Sequence, residues 1–299
     1  MISGGGEALL NPDLPGILRR ARKLGLRTQL YTTGYNLRRA APHLWREIAR
    51  MHRVRLSIHS PTEATYAQIT GLPSKLHALR QVSEHVRRLL DLRDRLDAPL
   101  RLGIGFVLMP VNHDEMLTMV DFAAELGVDF LDIRKEEVDV TDDLTADQRA
   151  AVRRQLIDLR GRAGRGTYGD LEVDLSDELV SLANDSPVLR RRTRECLAKY
   201  ARPTISPFGI LAPCDLKAEP RFADSQFNLA LMPQPVEDML NAIGRTFVPD
   251  TCAQCMPSSR TTNAVYAKLL GDARDGLNPC DQPFHDPGTS AHERPPSSS

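Results

Sequence analysis

The chain has 299 residues, the length of one barrel-sized domain with an appendage or of two ordinary domains. Hydrophobic residues make up 41% and charged residues 26%, so the composition is globular and excludes a fibre, a coiled coil and wholesale disorder. Lysine plus arginine and aspartate plus glutamate both number 39, so no net charge recruits nucleic acid or an anionic membrane surface.

No stretch of the sequence reaches the roughly 20 apolar residues that are needed to cross a bilayer. Residues 1–10 also lack the basic and apolar segments of a secretion signal. These absences predict a cytoplasmic protein with no membrane partner. All five cysteines lie in the last third of the chain, which in a reducing compartment favours a metal site over disulfides.

The first half of the chain alternates short aliphatic runs with longer segments of helical period. This pattern is typical of βα units around a parallel sheet and predicts an α/β fold. A first strand is expected to end at Met1-Ile2, immediately before Ser3. Further strands are expected at 27–32, 54–59, 100–109 and 128–133, and helices at 12–24, 41–51, 76–96, 112–126 and 145–162.

Glycine and proline divide the second half of the chain. Four glycines between residues 161 and 169 predict a linker or tight reversal into a second unit. The βα rhythm then fades, and a hairpin is expected at 204–213 around Gly209. The expected domains are therefore 1–165 and 166–270, followed by a polar, disordered tail at 271–299.

A glycine-rich segment, Ser3-Gly4-Gly5-Gly6-Glu7, follows the first expected strand and precedes a helix. Glycines there let main-chain groups approach a small ligand closely, although an ordinary βα turn explains them as readily. The order of later motifs is more informative. They are Thr32-Thr33-Gly34, Leu56-Ser57-Ile58-His59, Ile69-Thr70-Gly71 and Phe106-Val107-Leu108 ahead of Asn112. Over about residues 1–135, this series resembles the radical S-adenosylmethionine superfamily.

The resemblance implies a partial βα barrel of the TIM type, whose strand carboxyl ends face S-adenosylmethionine. Carried over position by position, Gly5, Gly6 and Glu7 hold the methionine amino group, mainly through backbone, and Ser57 lies near the ribose. Family members have Gly-Gly-Glu-Pro and Thr-Asn-Gly, whereas this chain has alanine in place of the proline and threonine in place of the asparagine.

Arg134 closes the last of these strands, where its guanidinium is able to pair with a carboxylate of cofactor or substrate. A surface ion pair with Glu136 or Glu137 is the plain alternative. Tyr31 and His59 also end strands, and each is either a substrate contact or a satisfied residue of the wall.

The cysteines carry the second signal. Cys196 and Cys214 are separated by 17 residues, and Cys252-Ala-Gln-Cys255 follows. Four thiolates make a closed site that suits a 4Fe-4S cluster or zinc. The pattern, with Gly209 before Cys214, resembles the Twitch and SPASM extensions that hold auxiliary clusters in the superfamily. Since Cys280 is the only later cysteine, a single-cluster, Twitch-like domain is expected, with Cys280 as an exposed thiol.

The superfamily's Cys-x3-Cys-x2-Cys, which binds the cluster that cleaves S-adenosylmethionine, has no counterpart before Cys196. The resemblance therefore implies a truncated chain that lacks its first βα unit. A βαβ unit takes at least about 30 residues, so we expect the reading frame to begin roughly 40 to 80 residues upstream. We also expect the polypeptide as written not to cleave S-adenosylmethionine.

Three functions are compatible with these features. The first is a radical S-adenosylmethionine enzyme, or a fragment of one, whose 5′-deoxyadenosyl radical abstracts hydrogen from a small polar metabolite. An auxiliary 4Fe-4S cluster assists it, and flavodoxin or ferredoxin donates electrons. A peptide-modifying SPASM-type maturase is a variant of this function. The others are a degenerate, non-catalytic binding module and a zinc-stabilised α/β protein, and metal analysis separates zinc from iron.

Overall fold

A computed structural model describes residues 1–3, 6–135, 144–185, 195–206, 208–214, 216–218, 228–231, 233–246, 248, 262–263 and 265–270. The chain divides into two compact units, Met1–Val188 and Leu189–Ser299. Among the described residues, no helix is both long enough and apolar enough to cross a membrane.

The first unit contains a five-stranded parallel sheet whose spatial order follows the chain, β1-β2-β3-β4-β5. The α/β class and the parallel sheet predicted from sequence are thereby confirmed. A parallel bridge from Ile2 to Leu30 extends the sheet beside β1, where the first strand was expected to end. The strands are β1 (Gln29–Thr32), β2 (Arg53–Ser57), β3 (Arg101–Leu108), β4 (Phe130–Lys135) and β5 (Glu172–Leu175).

Helices connect the strands of this sheet, as parallel crossovers require. They are α1 (Leu14–Lys23), α2 (Pro42–Ala49), α3 (Glu63–Thr70), α4 (Ala78–Arg95), α5 (Met116–Leu126), α6 (Ala146–Gly164) and α7 (Asp177–Asn184). Gly127 ends α5 with a φ of 73°, the left-handed conformation expected there. Helix α3 was not expected, because Tyr66 is its only buried residue and its apolar period is weak.

The glycines at 161–169 turn the chain within the first unit rather than linking it to a second. Helix α6 runs to Gly164, and Gly166 and Gly169 have φ values of 72° and 56°. The chain then enters β5, which pairs in parallel with β4. The first compact unit consequently extends past the boundary expected at residue 165. Strand β5 escaped detection because four residues that alternate charged and apolar side chains make a short signal.

The two faces of the sheet have different chemistry. One face packs against the helices, and its central side chains have no exposed surface: Leu30, Leu56, Ile104, Leu131 and Ile133. The opposite face, which we call the polar face, carries the alternate residues: Tyr31, Arg53, Arg55, Ser57, Asp132, Arg134 and Asp174. The side-chain period of two along a strand produces this division.

The described residues of the second unit include a three-stranded antiparallel sheet and the helices α8 and α9. The hairpin predicted at 204–213 is confirmed, with Gly209 at a φ of 73°. Its elements are α8 (Ala198–Ala201), β6 (Thr204–Ile205), β7 (Ile210–Ala212), β8 (Ala230–Leu231) and α9 (Val236–Arg245). Cys280 and the tail 271–299 lie outside the described residues.

Two glycines of β3 leave room for large side chains on the polar face. A Cβ at Gly103 would lie 2.4 Å from the ring of Phe130, and one at Gly105 would lie 2.8 Å from Nε of Arg55.

We predict that Gly103→Ala lowers the free energy of unfolding by about 1–3 kcal/mol, because overpacking displaces the Phe130 ring. The control is Gly16→Ala in α1, where a Cβ meets nothing within 4 Å. Urea denaturation measures both variants, and equal stability would contradict the prediction.

Candidate functional site

Several of the residues singled out from the sequence lie at one edge of the sheet in the first unit. The carboxyl ends of the parallel strands meet there, as they do at the active-site end of full barrels. Glu7 contacts the end of β1, Ser57 ends β2, and Arg134 lies near the end of β4. Gly5 lies outside the described residues.

The carboxylate of Glu7 ties its own segment to the end of β1. Its Oε1 accepts hydrogen bonds from the Leu9 amide (3.1 Å) and the Thr32 hydroxyl (2.6 Å). Its Oε2 accepts from the amide (3.0 Å) and the hydroxyl (2.6 Å) of Thr33. A carboxylate has about four acceptor positions, so these donors use them all. The Glu7 carboxylate therefore holds its own segment against the end of β1.

Local geometry explains the Thr32-Thr33-Gly34 motif. The Thr32 hydroxyl, which donates to Glu7, also accepts from the Gly34 amide at 3.0 Å. Gly34 has a φ of 73°, and a Cβ there would lie 2.4 Å from the Leu56 side chain. The motif thus forms a tight turn against β2, and its second threonine supplies two of the donors to Glu7.

Gly6 borders open space beside this anchored turn. The residue is exposed, and a Cβ built on it meets no atom within 4 Å. Its φ lies outside the left-handed region, so an alanine would fit its backbone without strain. A side chain at Gly6 would therefore occupy the space next to the main chain without disturbing the fold.

A charged cluster on the polar face was missed by the sequence analysis. The side chain of Asp132 is only 6% exposed and accepts from Arg53 (3.2 Å) and Arg55 (3.4 Å). The guanidinium of Arg53 lies 3.4 Å from the centre of the Phe130 ring, and that of Arg55 lies 3.9 Å from the Tyr31 ring. Alternating arginines inside a buried strand were the available signal, because only a polar face of the sheet accommodates them.

Arg134 and Ser57 offer unpaired donors near the same edge. Nε of Arg134 is buried and has no hydrogen-bond partner, and the described residues provide no ion pair for its guanidinium. Glu136 and Glu137, the alternative partners, lie outside the described residues. The Ser57 hydroxyl likewise has no hydrogen-bond partner within the described chain. Beside Arg134, burial raises the pKa of Asp174, and the charge of Asp132 adds to this effect.

His59 is held at the end of β2 by the neighbouring strand. Its Nδ1 accepts a hydrogen bond from the Val107 amide at 3.1 Å. The buried amide of Asn112 donates to the carbonyls of His59 (2.7 Å) and Val107 (2.9 Å), which fixes the two strand ends together. Burial lowers the pKa of His59 to about 4, the charge of Arg55 contributes in the same direction, and the Gly105 carbonyl opposes both. The imidazole is consequently neutral at pH 7.

In the second unit, two of the four predicted metal ligands are described. Cys196 is buried and Cys214 is partly buried. The Asn263 amide donates to the Cys196 sulfur at 3.6 Å and accepts from the Ala198 amide at 2.7 Å. Cys252 and Cys255 lie outside the described residues, and the remainder shows no group of three or more His, Cys, Asp or Glu suited to a metal.

Comparison with curated proteins identifies several relatives, although no protein-family model matches the chain. The dTDP-4-amino-4,6-dideoxy-D-glucose ammonia-lyase of Streptomyces venezuelae is 32% identical over 203 residues, 63% of this chain and 40% of that enzyme. The PqqA peptide cyclase of Streptomyces rochei is 29% identical over 224 residues, 70% of this chain and 54% of that protein. The chain thus spans about half the length of these relatives or less.

Solved structures share the fold at low sequence identity. Streptococcus suis SuiB bound to S-adenosylmethionine matches with a TM-score of 0.52 and 17% identity, over 71% of this chain and 48% of that one. The protein anSMEcpe with bound AdoMet matches with a TM-score of 0.53 and 13% identity, over 91% of this chain and 80% of that one. SuiB has also been solved with its precursor peptide SuiA, with a TM-score of 0.55, 16% identity and coverage of 89% and 61%.

The bond between Glu7 and Thr33 is directly testable. We predict that Glu7→Ala lowers the free energy of unfolding by about 1–3 kcal/mol, because it leaves several donors unpaired. A double-mutant cycle with Thr33→Val, which removes one donor and keeps the shape, should give a coupling energy of about 0.5–3 kcal/mol. Glu84→Ala, at an exposed position of α4, is the control and should cost less than about 0.5 kcal/mol. Strictly additive effects of the Glu7 and Thr33 changes would refute the connection.

Proposed function

Because this chain is related to the radical S-adenosylmethionine enzymes, we propose that it binds S-adenosylmethionine at the carboxyl edge of its parallel sheet. The reaction proposed there is hydrogen abstraction from a small polar metabolite. The turn anchored by Glu7 is the observation that carries the proposal, because it offers main-chain groups beside open space at Gly6.

A partial βα barrel is the architecture that we infer around this edge. Five parallel strands follow one another in chain order, with helices on the connections, as in a βα barrel. The similarity in fold to SuiB and anSMEcpe supports the same inference. In such an arrangement the helix-covered face lies outward, and the polar face lines the interior.

The chain's own residues have distinct tasks toward the cofactor. The carbonyl groups of Gly5 and Gly6 accept hydrogen bonds from the methionine ammonium group, and Glu7 holds their segment in place. Ser57 lies at the strand end assigned to the ribose, and Arg134 pairs its free guanidinium with a carboxylate of cofactor or substrate. When bound and reduced, S-adenosylmethionine with a 4Fe-4S cluster would supply a 5′-deoxyadenosyl radical, and this sequence has no cysteine before Cys196 to hold that cluster.

An auxiliary 4Fe-4S cluster held by Cys196, Cys214, Cys252 and Cys255 is the second part of the proposal, in a Twitch-like extension. The buried position of Cys196 suits this task, because burial keeps solvent away from a cluster ligand. The hydrogen bond from Asn263 to Cys196 is typical of cluster ligands, since N–H donors to sulfur tune the potential. Flavodoxin or ferredoxin is the proposed class of electron donor.

The substrate proposed first is a small polar metabolite. The charged polar face supports this choice, and the ammonia-lyase relative is named for a nucleotide sugar. A peptide is the second candidate, because the PqqA cyclase is named for a peptide and SuiB has been solved with one. The alternative function is a non-catalytic binding module. It would keep the site in the first unit, with either class of ligand, but would not catalyse a reaction.

Filling the space at Gly6 tests the cofactor site. Calorimetry should show weak S-adenosylmethionine binding, because this sequence has no Cys-x3-Cys-x2-Cys for the cluster that also binds the methionine group. Gly6→Ala should weaken this binding about tenfold further, because a methyl group obstructs the main chain. Gly16→Ala, which also adds a methyl group into open space, is the matched control and should leave affinity unchanged. Equal affinity of the two variants would remove Gly6 from the site, and absent binding in the wild type would overturn the proposal.

Metal content tests the cysteine site. Anaerobic reconstitution should give about four irons per chain, and Cys196→Ala or Cys214→Ala should reduce that content. Cys280→Ala is the control and should retain full iron. Asn263→Leu should retain iron but lower the cluster's midpoint potential, because the N–H···S bond favours the reduced state. About one zinc and no iron per chain would instead establish a structural zinc site.

A further inference from the structure

Two buried donors of the polar face have no partner among the described residues. Nε of Arg55 and Nε of Arg134 are both buried without a hydrogen-bond partner. The carboxylate between them, Asp132, already accepts from Arg53 and Arg55. A ligand that satisfies this face must therefore bring acceptor atoms rather than donors.

His59 adds a donor whose tautomer is fixed. The Val107 amide can only donate, so Nδ1 of His59 is the acceptor in their bond. Because the ring is neutral at pH 7, its one proton is on Nε2. The Gly105 carbonyl interacts with the ring and raises its pKa, but no described residue accepts a hydrogen bond of standard geometry from that nitrogen. The ring is only partly buried, so Nε2–H remains available to a ligand.

The strand register brings His59 close to the unpaired guanidinium groups. Val107 lies between His59 and Arg134, bonded to the first and paired in register with the second. The side chain of Arg55 lies over Gly105, which is two residues before Val107 in β3 and pairs with Ser57 of β2. The charge of Arg55 lowers the pKa of His59. One imidazole and two guanidinium groups thus face the same edge of the sheet from β2 and β4.

The local charge balance favours an anion over a neutral acceptor. Among the described residues of this face, four guanidinium groups face three carboxylates, those of Asp132, Glu172 and Asp174; the guanidinium groups are those of Arg53, Arg55, Arg101 and Arg134. Asp132 is shared by two arginines and Glu172 pairs with Arg101, so Asp174 is the described carboxylate that remains for Arg134. Partly buried positive charge of this kind is stabilised by a ligand of opposite charge.

We propose that His59 and Arg55 form a subsite for an oxyanion of the substrate, a phosphate or a carboxylate, with His59 Nε2–H donating to one oxygen. Arg55 supplies the opposing charge, held in place by the Tyr31 ring and Asp132. This proposal rests on the proposed function, because it concerns the substrate proposed there. It specifies that this substrate is an anionic metabolite. Arg134 keeps the role proposed above, in which it pairs with a carboxylate of cofactor or substrate.

A second histidine provides a matched control. His52, at the amino end of the same strand, also accepts a backbone hydrogen bond through Nδ1, from the Thr28 amide at 3.2 Å. It differs from His59 in lying at the opposite end of β2, away from Arg134. The two histidines therefore share a structural role, and only His59 is placed to meet a substrate.

The experiment titrates the full chain with inorganic pyrophosphate and, separately, with succinate, using calorimetry. We expect at least one probe to bind, and its identity distinguishes a phosphate from a carboxylate subsite. His59→Leu should weaken that binding about tenfold or more, the effect of losing a hydrogen bond to a charged group. His59→Gln, which keeps a donor at the same reach, should restore most of the affinity, and His52→Leu should leave it unchanged. Unaltered affinity in His59→Leu, or no binding of either probe to the wild type, would overturn the subsite.

A measurement without mutation guards against variants that fail to fold. In nitrogen-edited NMR of the wild type, the His59 Nε2 resonance should shift on addition of the bound probe, and the His52 resonance should not. An unmoved His59 signal at saturation would overturn the proposal. S-adenosylmethionine binding is measured separately, so a chain that binds pyrophosphate but not the cofactor would refute the proposed function and leave the subsite standing.

Discussion

The candidate site depends on the hydrogen bonds of a single carboxylate. Glu7 takes donors from its own turn and from the threonines that end β1, so it joins the glycine segment to the sheet through side-chain contacts. Each donor is charge-assisted by the carboxylate and stronger than a neutral bond. Without this connection, Gly6 would lose a nearby anchor to the strand end, because glycine itself imposes little conformational constraint.

The two faces of the sheet have different tasks, because successive side chains of each strand point to opposite faces. Its aliphatic face supplies the core against the helices, while the polar face is free to carry charge. Glycines in β3 make that second use possible, since Gly103 and Gly105 leave space for the Phe130 ring and the Arg55 side chain. The charges are stabilised by pairing at Asp132 and by stacking on aromatic rings, which offsets part of the cost of their burial.

The second unit uses polar contacts around a small core. Cys196, Ala198 and Val248 are its described buried cluster, and the Asn263 side chain bonds both to the cysteine sulfur and to the start of α8. Lys199 is fully buried and donates to the Thr246 carbonyl and to Glu195.

The sequence by itself determined the βα alternation, four of the strands, the C′ glycine of α5, the hairpin around Gly209 and the resemblance carried by Gly5-Gly6-Glu7 and Thr32-Thr33-Gly34. All of these are local patterns of period, spacing or backbone conformation. Only the tertiary structure decided that the Glu7 carboxylate is consumed by the end of β1, that Asp132 joins two arginines of β2, and that His59 bonds Val107. These contacts join residues between 25 and 79 positions apart, and no local pattern encodes which distant side chains a parallel register brings into contact.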